Sequence, residues 1–416
     1  MTQRFTQPPR GNLKPLRIVA AGLLTGLLCS SAWSYTYEER QEKDFSQYTV
    51  TDPDASYFDV SARMALLDDT SNSLLLGQMD RLQITDNCTS LMATPPLDER
   101  IRIPGFYPSP DAWREATRPL FNFEDDVSRL AGAYVATQND YYSECLIKFL
   151  NKWAEANALW KFYYSPHDPQ AWYSTESMMF AAALAYSIVR PRIEGMEEKK
   201  QHIDDWLSSL AKRHSAIPGS SGDCCNNHFY RRALYASMIG VLTDDDALFQ
   251  YGVSAVYSAL SDLTPEGGLP HELTRGRRAT HYQNYALLYL VTNMQVIARQ
   301  GYDIFNLEID GLTIQDPVTY LFQIIDDPTR LEDYAPHEQY HGFLNDDQYF
   351  SWMEIYLHHK DYPRMERFLK QYRPLNNRSA GGYITLYFMA PEAQQRIVLN
   401  DSNKQRSGIT IPDSPE

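Results

Sequence analysis

Two short stretches hold most of the residues whose types could do chemistry together. Cys224-Cys225-Asn226-Asn227-His228-Phe229-Tyr230 opens one apparent helix, and Leu273-Thr274-Arg275-Gly276-Arg277-Arg278-Ala279-Thr280-His281-Tyr282-Gln283-Asn284-Tyr285 opens another. In the first, positions 228, 231, 232 and 235 follow the i, i+3, i+4, i+7 spacing of one helix face. That spacing groups His228, Arg231, Arg232 and Tyr235 and leaves Ala233, Leu234, Ser237 and Met238 for a core. In the second, Arg275, Arg278, Tyr282, Tyr285 and Tyr289 repeat the pattern. Amides, imidazole, guanidinium and phenol on one side of each of two helices would form the wall of an anion-binding cleft. Taken singly, either stretch also reads as a solvated helix face.

The elements that must carry these residues are helices. From Asp125 onward the sequence predicts amphipathic helices over 125–137, 140–158, 174–189, 199–213, 227–241, 246–262, 279–299, 318–325, 347–359 and 363–371. Breakers such as Pro218-Gly219 and Pro265-Glu266-Gly267-Gly268 separate them. Beta-branched alternation is scarce until Ile384–Phe388, and no fixed repeat period emerges. So many helices on short connections should pack as antiparallel hairpins. The expected fold is all-α, an incomplete α/α toroid around a central groove, over residues 91–400. Residues 94–123 are rich in proline and aromatics and are expected to form a lid loop near 104–124 or a strap over the core. Residues 35–90 read as an N-terminal extension packed loosely on the main domain, and 401–416 as a polar tail.

Residues 1–34 read as a secretory signal peptide: Arg10, Lys14 and Arg17, then the apolar run Ile18 to Leu28, then Ala32-Trp33-Ser34 as a small-x-small cleavage signal. Leu28 before Cys29 is bulky where a lipidation signal needs a small residue. The mature protein is therefore expected in the periplasm, or secreted, with no membrane insertion. The segment holds four Lys/Arg and no acids, so the chain's net charge of −15 becomes −19 without it. That balance argues against nucleic acid as a partner. A polyanionic ligand would need locally concentrated arginines, which only 225–282 supplies. Four cysteines remain, Cys88, Cys145, Cys224 and Cys225, and an even number in an exported chain favours disulfides. Of three possible pairings, Cys88–Cys145 with the adjacent pair Cys224–Cys225 is expected. Cys225-x-x-His228 is the one zinc-like spacing, and no second pair completes a site, so no metal is expected.

The residues resemble polysaccharide lyase family five, the periplasmic poly-mannuronate (alginate) lyases. Asn226-Asn227-His228-x-Tyr230 looks like the family's central motif. Leu269-Pro270-x-Glu272-Leu273-x-Arg275 with Arg278-Ala279-x-x-Tyr282-x-Asn284-Tyr285 looks like its second. Glu144-Cys145, Trp153-Ala154-Glu155, Phe350-Ser351-Trp352-x-Glu354-x-Tyr356 and Gly381-Gly382 extend the likeness, in order, over roughly 88–390. The resemblance implies an α/α toroid, no obligatory metal or other cofactor, an anionic polysaccharide substrate, and a disulfide pattern with an adjacent pair like Cys224–Cys225. Two positions depart from it. Phe106 stands where the family carries lysine, before a matching Tyr107, and Arg231 stands where it carries tryptophan. Sugar preference could differ accordingly, with glucuronan or hyaluronan beside mannuronate-rich alginate.

A β-eliminating lyase removes the C5 proton beside a uronate carboxylate and expels the C4 oxygen, so its site must neutralise the carboxylate. The resemblance assigns catalysis to Asn227, His228, Arg275 and Tyr282. Asn227 would donate an amide N–H, His228 an imidazole N–H or positive charge, and Arg275 a bidentate fork. Tyr282 would act as base, its pKa lowered by neighbouring cations, and then as acid. One tyrosine can do both for mannuronate, whose C5 proton and C4 oxygen share a side. For an epimer with the proton opposite, His228 would be the base and Tyr282 the acid. Tyr107, His167, Arg231, Arg278, His281 and Tyr285 are expected substrate contacts. A glycoside hydrolase on a similar scaffold would need paired carboxylates, for which Glu332-Asp333 and Asp346-Asp347 are available. A non-catalytic polyuronate-binding protein is the third reading. The protein is expected to be a monomer.

Overall fold

The computed structural model describes residues 40, 42–84, 86–165, 169–215, 225–331 and 333–391. The described residues all fall in one compact unit, and Met1–Trp33 lie outside the described residues. So does the expected polar tail. Short helices come first: α1 (Val60–Asp68), α2 (Ser73–Arg81) and α3 (Cys88–Leu91). Helical hairpins follow: α4 (Pro110–Thr137) with α5 (Asp140–Glu155), α6 (Gln170–Val189) with α7 (Glu197–Ser215), and α8 (Asn227–Leu242) with α9 (Asp246–Ser261). The one-turn α10 (Pro270–Leu273) leads into α11 (Ala279–Ala298) with α12 (Gln315–Asp326), then α13 (Ser351–His359) with α14 (Pro363–Leu369). A short α15 (Ile384–Phe388) ends the described fold. Among the described residues there is no strand, only isolated bridges Ile309–Leu312 and Asn377–Gly382.

The first helix of each hairpin packs on the first helix of the next, so α4, α6, α8, α11 and α13 form an inner arc. The second helices lie outside, and α15 and α2 bridge the gap between α13 and α4. This is the α/α toroid. Burial follows the layer. In α6 every residue from Met178 to Val189 is buried, and α8 is buried from Tyr230 to Leu242, whereas outer α5 and α7 keep a solvated side. Asn139, Asn226 and Asp245 each accept a first-turn backbone N–H and start their helices where the sequence places a cap. A Cβ on Gly252 would lie 2.3 Å from the Ser237 Cβ, so only glycine lets α9 approach α8 this closely. The Gly381-Gly382 pair has φ of +97° and +95°, and Gly382 lies against Ser128 of α4, seating the C-terminal turn on the inner arc.

Three expectations need correction. The proline-rich lid near 104–124 is loop only as far as Ser109, because α4 already starts at Pro110. Proline at the first helical position loses an N–H that has no partner there anyway. The N-terminal stretch is not loosely packed. Tyr57 is fully buried and stacks edge-on with Phe58, Thr51 bonds Gln300, and Arg63 donates to the carbonyls of Leu386 and Met389. Several of its polar groups bond to the ring, while others face solvent. Thirdly, the apolar face assigned to 227–241 is too narrow, since Arg231, Arg232 and Tyr235 are buried as well. An inner helix of a toroid has neighbours on every side.

Candidate active site

The start of α8, the α10–α11 segment and the proline-rich loop meet at one lip of the ring. Asn226 accepts the His228 backbone N–H and caps α8. Asn227 donates its backbone N–H to Glu272 Oε1 at 2.6 Å and its side-chain amide to both carboxylate oxygens at 3.1 Å. Glu272 is fully buried, and Arg275 Nε lies 3.6 Å from its Oε2. The Arg275 guanidinium sits 5.0 Å from the centre of the Tyr282 ring. An unbroken series of contacts thus joins Asn227, Glu272, Arg275 and Tyr282, with His228 adjacent to Asn227 in sequence. Burial raises the Glu272 pKa, opposed by Arg275 and the Asn227 bonds. The amide hydrogens that Asn227 was expected to offer a substrate are directed at Glu272 in the resting site.

Tyr107 joins from the proline-rich loop. Its hydroxyl lies 3.0 Å from that of Tyr282, and Arg278 lies between the Tyr107 ring (5.0 Å) and the Tyr340 ring (4.5 Å). Phe106 packs edge-on against Tyr107 and Trp113 and stiffens the loop. Burial and the Tyr107 hydroxyl raise the Tyr282 pKa and outweigh the opposing pull of Arg275. This reverses the expectation of a tyrosine acidified by cations. The resting Tyr282 holds its proton.

His228 stacks on Tyr173, centroids 3.9 Å apart and planes 23° off parallel. Its Nδ1 is buried and faces Glu176 Oε2 at 4.0 Å. Burial, then Arg231, Arg232 and Arg275, push its pKa well below the ordinary histidine value. The imidazole is neutral. Glu176, on α6, is fully buried and also contacts Arg231 Nη2 at 3.2 Å and Arg232 Nε at 3.6 Å.

Arg231, expected to touch substrate, points inward. It donates to the Tyr173 carbonyl at 2.7 Å, reaches the Tyr285 hydroxyl at 3.5 Å and lies over the Tyr289 ring. Its charge is answered by Glu176, not held open for a ligand. His281 packs among Tyr285, Phe343 and Tyr349, where burial and Arg278 push its pKa to about 3. Tyr285 stays partly exposed beside Tyr282. His167 and Cys224 lie outside the described residues. Cys225 is disulfide-bonded, and Cys88–Cys145 form a disulfide that ties α3 to α5. Of the hydrolase candidates, Asp346 caps the turn at 347–350 and Glu332 lies outside the described residues. Among the described residues no group of three His, Cys, Asp or Glu could hold a metal.

Sequence reasoning missed Glu176 and Tyr173. Glu176 is the sole charged residue of α6, whose remaining residues are mostly apolar. A lone carboxylate in such a run requires a buried partner, and that signal was available.

A helical toroid with a polar lip of arginine, histidine, tyrosine and amide defines the class of α/α-toroid polysaccharide lyases. Residues 92–331 match the family described as Alginate lyase. The chain belongs to that family. It is 32% identical over 190 residues to a polysaccharide lyase of Stenotrophomonas maltophilia, a match spanning 46% of this chain and 57% of that protein. With an alginate lyase of Pseudomonas aeruginosa it shares 26% identity over 283 residues, 66% of this chain and 76% of the other. Among solved structures it is similar to alginate lyase A1-III in a tyrosine-to-phenylalanine variant complexed with a tetrasaccharide. That match has a TM-score of 0.77 and 28% identity, covering 84% of this chain and 99% of the other. The same enzyme from Sphingomonas species A1 gives a TM-score of 0.76, 29% identity and the same coverage.

Proposed function

We propose that the protein is an exported polysaccharide lyase that cleaves alginate by β-elimination and leaves unsaturated uronate ends. The observation that carries this reading is the continuous contact from Asn227 through Glu272 and Arg275 to Tyr282 at one lip of the ring, beside a neutral His228. Arg275, 35% exposed, offers the uronate carboxylate a guanidinium fork in competition with Glu272. Neutralising that carboxylate lets charge accumulate on it as the C5 proton leaves. Tyr282 delivers its proton to the C4 oxygen, so departing alkoxide becomes a hydroxyl. Tyr107 and Tyr285 line the same mouth, and Arg278 braces Tyr107.

Mannuronate-rich stretches are the first expected substrate, with Tyr282 both taking the C5 proton and returning it. The resting protonation states favour a second reading. A neutral imidazole and a protonated phenol are poised as acceptor and donor respectively, which suits His228 as base and Tyr282 as acid. That division fits the epimer whose proton lies opposite the leaving oxygen. The export reading rests on residues 1–34, and no described helix is long and apolar enough to cross a membrane. Ultraviolet absorbance with poly-mannuronate, poly-guluronate, glucuronan and hyaluronan tests both readings. A rise with either alginate block is expected, and the ranking of the two blocks separates the one-residue from the two-residue mechanism.

A further inference from the structure

We propose that Glu176 is a positioning residue that holds the His228 proton on Nδ1 and leaves Nε2 bare as the proton acceptor of the cleft. The inference rests on the lyase reading and deepens its two-residue form. Tyr173 and Glu176 sit one turn apart on α6 and grip the same imidazole. Tyr173 stacks on its face, and Glu176 Oε2 lies 4.0 Å from Nδ1. The backbone carbonyl of Tyr173 and the carboxylate of Glu176 are both fastened by Arg231 Nη2, at 2.7 and 3.2 Å, so the two grips move as a unit.

Which imidazole nitrogen carries the proton is set by what the other nitrogen faces. Nδ1 is buried, without a hydrogen bond, and looks at a carboxylate. An Nδ1–H there gains an acceptor, whereas a bare Nδ1 would set a lone pair against a negative oxygen. A separation of 4.0 Å is longer than a hydrogen bond, and such contacts tighten when a substrate fills the site. The ring is partly exposed, its side chain 24% accessible, while the Nδ1 edge is closed. The open edge is therefore Nε2. As His228 takes up the C5 proton on Nε2 it becomes a cation with Nδ1–H toward Glu176, and the buried carboxylate balances the new charge. The surrounding charges are Glu176 from α6, Arg231 and Arg232 from α8, and Arg275 before α11 with its partner Glu272. Burial raises the Glu176 pKa, and Arg231 and Arg232 oppose that rise. Burial first, then Arg231, Arg232 and Arg275, keep the base unprotonated until the substrate supplies the proton.

The test is nitrogen NMR of the full chain labelled at histidine, without substrate, the His228 signal being the one lost in His228→Ala. The expected spectrum at neutral pH has Nδ1 protonated and Nε2 bare. The reverse tautomer overturns the proposal. In Glu176→Gln the population should move toward Nε2–H, kcat should fall at least ~10-fold, and KM should stay within ~3-fold. Removing the carboxylate also lowers the His228 pKa further, so the acid limb of the pH–rate profile should move to lower pH. A lower melting temperature with unchanged tautomer and unchanged acid limb would show a purely structural carboxylate and overturn the assignment. If the glutamine variant does not fold, Glu176→Asp keeps the charge and withdraws it by one methylene. A smaller shift of tautomer and limb in the same direction is then expected, and no shift counts against the proposal. The spectrum is read on resting protein, so a wrong tautomer counts against Glu176 whether or not any polymer is cleaved.

Discussion

Replacing Tyr282 with phenylalanine separates chemistry from structure at the candidate site. The change removes one hydroxyl and keeps the ring over which Arg275 lies at 5.0 Å. The lost group is half of one hydrogen bond, to the hydroxyl of Tyr107, a residue 54% exposed. Stability should fall by about 1 kcal/mol at most. A general acid contributes about 100- to 10,000-fold, which converts to roughly 3–5 kcal/mol of activation free energy. The barrier should thus lose several times more than the fold. Steady-state absorbance kinetics on alginate, with a urea melt on the same preparation, compare the two. A kcat within threefold of wild type would remove Tyr282 from the mechanism, and a melt lowered by several kcal/mol would make it a structural residue. Tyr107→Phe probes the same phenol from its partner's side. The Tyr107 hydroxyl helps to raise the Tyr282 pKa, so its loss should lower that pKa. Activity that needs the protonated phenol disappears as pH rises through this pKa. The alkaline limb should move to lower pH in Tyr107→Phe, and a limb that moves up or stays would contradict Tyr282 as the acid.

Further outcomes follow from the same geometry. Arg275→Ala strips a compensating charge from fully buried Glu272, so stability should drop by about 1–3 kcal/mol in denaturant melts. KM for alginate should also rise at least ~10-fold in absorbance kinetics, because the carboxylate loses its fork. Serine at Cys88 and Cys145 opens a cross-link of sequence separation 57, for which chain entropy predicts a loss of about 4 kcal/mol, read as a lower melting temperature. Glu124 is fully buried and its pKa is pushed from 4.5 up to about 7, by burial, against Arg378 and Ser379. A carboxyl raised in the folded state favours folding while protonated, so this contribution is present below about pH 4.5 and lost as pH rises to about 7. At 1.36 kcal/mol per unit the loss is about 3 kcal/mol. Glu124→Gln should therefore gain on wild type between about pH 5 and pH 7.5, and a pH-independent difference would contradict it.

The sequence was most informative where local chemistry decides structure. Asn139, Asn226 and Asp245 cap the helices that open at 140, 227 and 246, and the helix predicted over 279–299 spans 279–298. Asn227, Arg275 and Tyr282 were singled out by the family resemblance, and they meet because their motifs lie at helix starts that chain order brings to one end of the ring. Arg231 was misread because a single helix gives no sign of how many neighbours surround it. The periodic face that would meet solvent in an outer helix meets Glu176 and Tyr289 in an inner one. The Tyr282 pKa went the other way for a similar reason. Spacing placed Arg275 nearby but not the burial that outweighs it. Ile384–Phe388 shows strand-like alternation yet forms α15, since its residues fill the gap between α13 and α2 rather than pair with an extended neighbour.

Elimination differs from every alternative in how the bond breaks, and the products record it. Purified protein incubated with poly-mannuronate and poly-guluronate should raise ultraviolet absorbance in step with new reducing ends, one unsaturated uronate for each chain break. New reducing ends without absorbance would mean hydrolysis, and binding without either would mean a protein that holds the polymer and does not cut it.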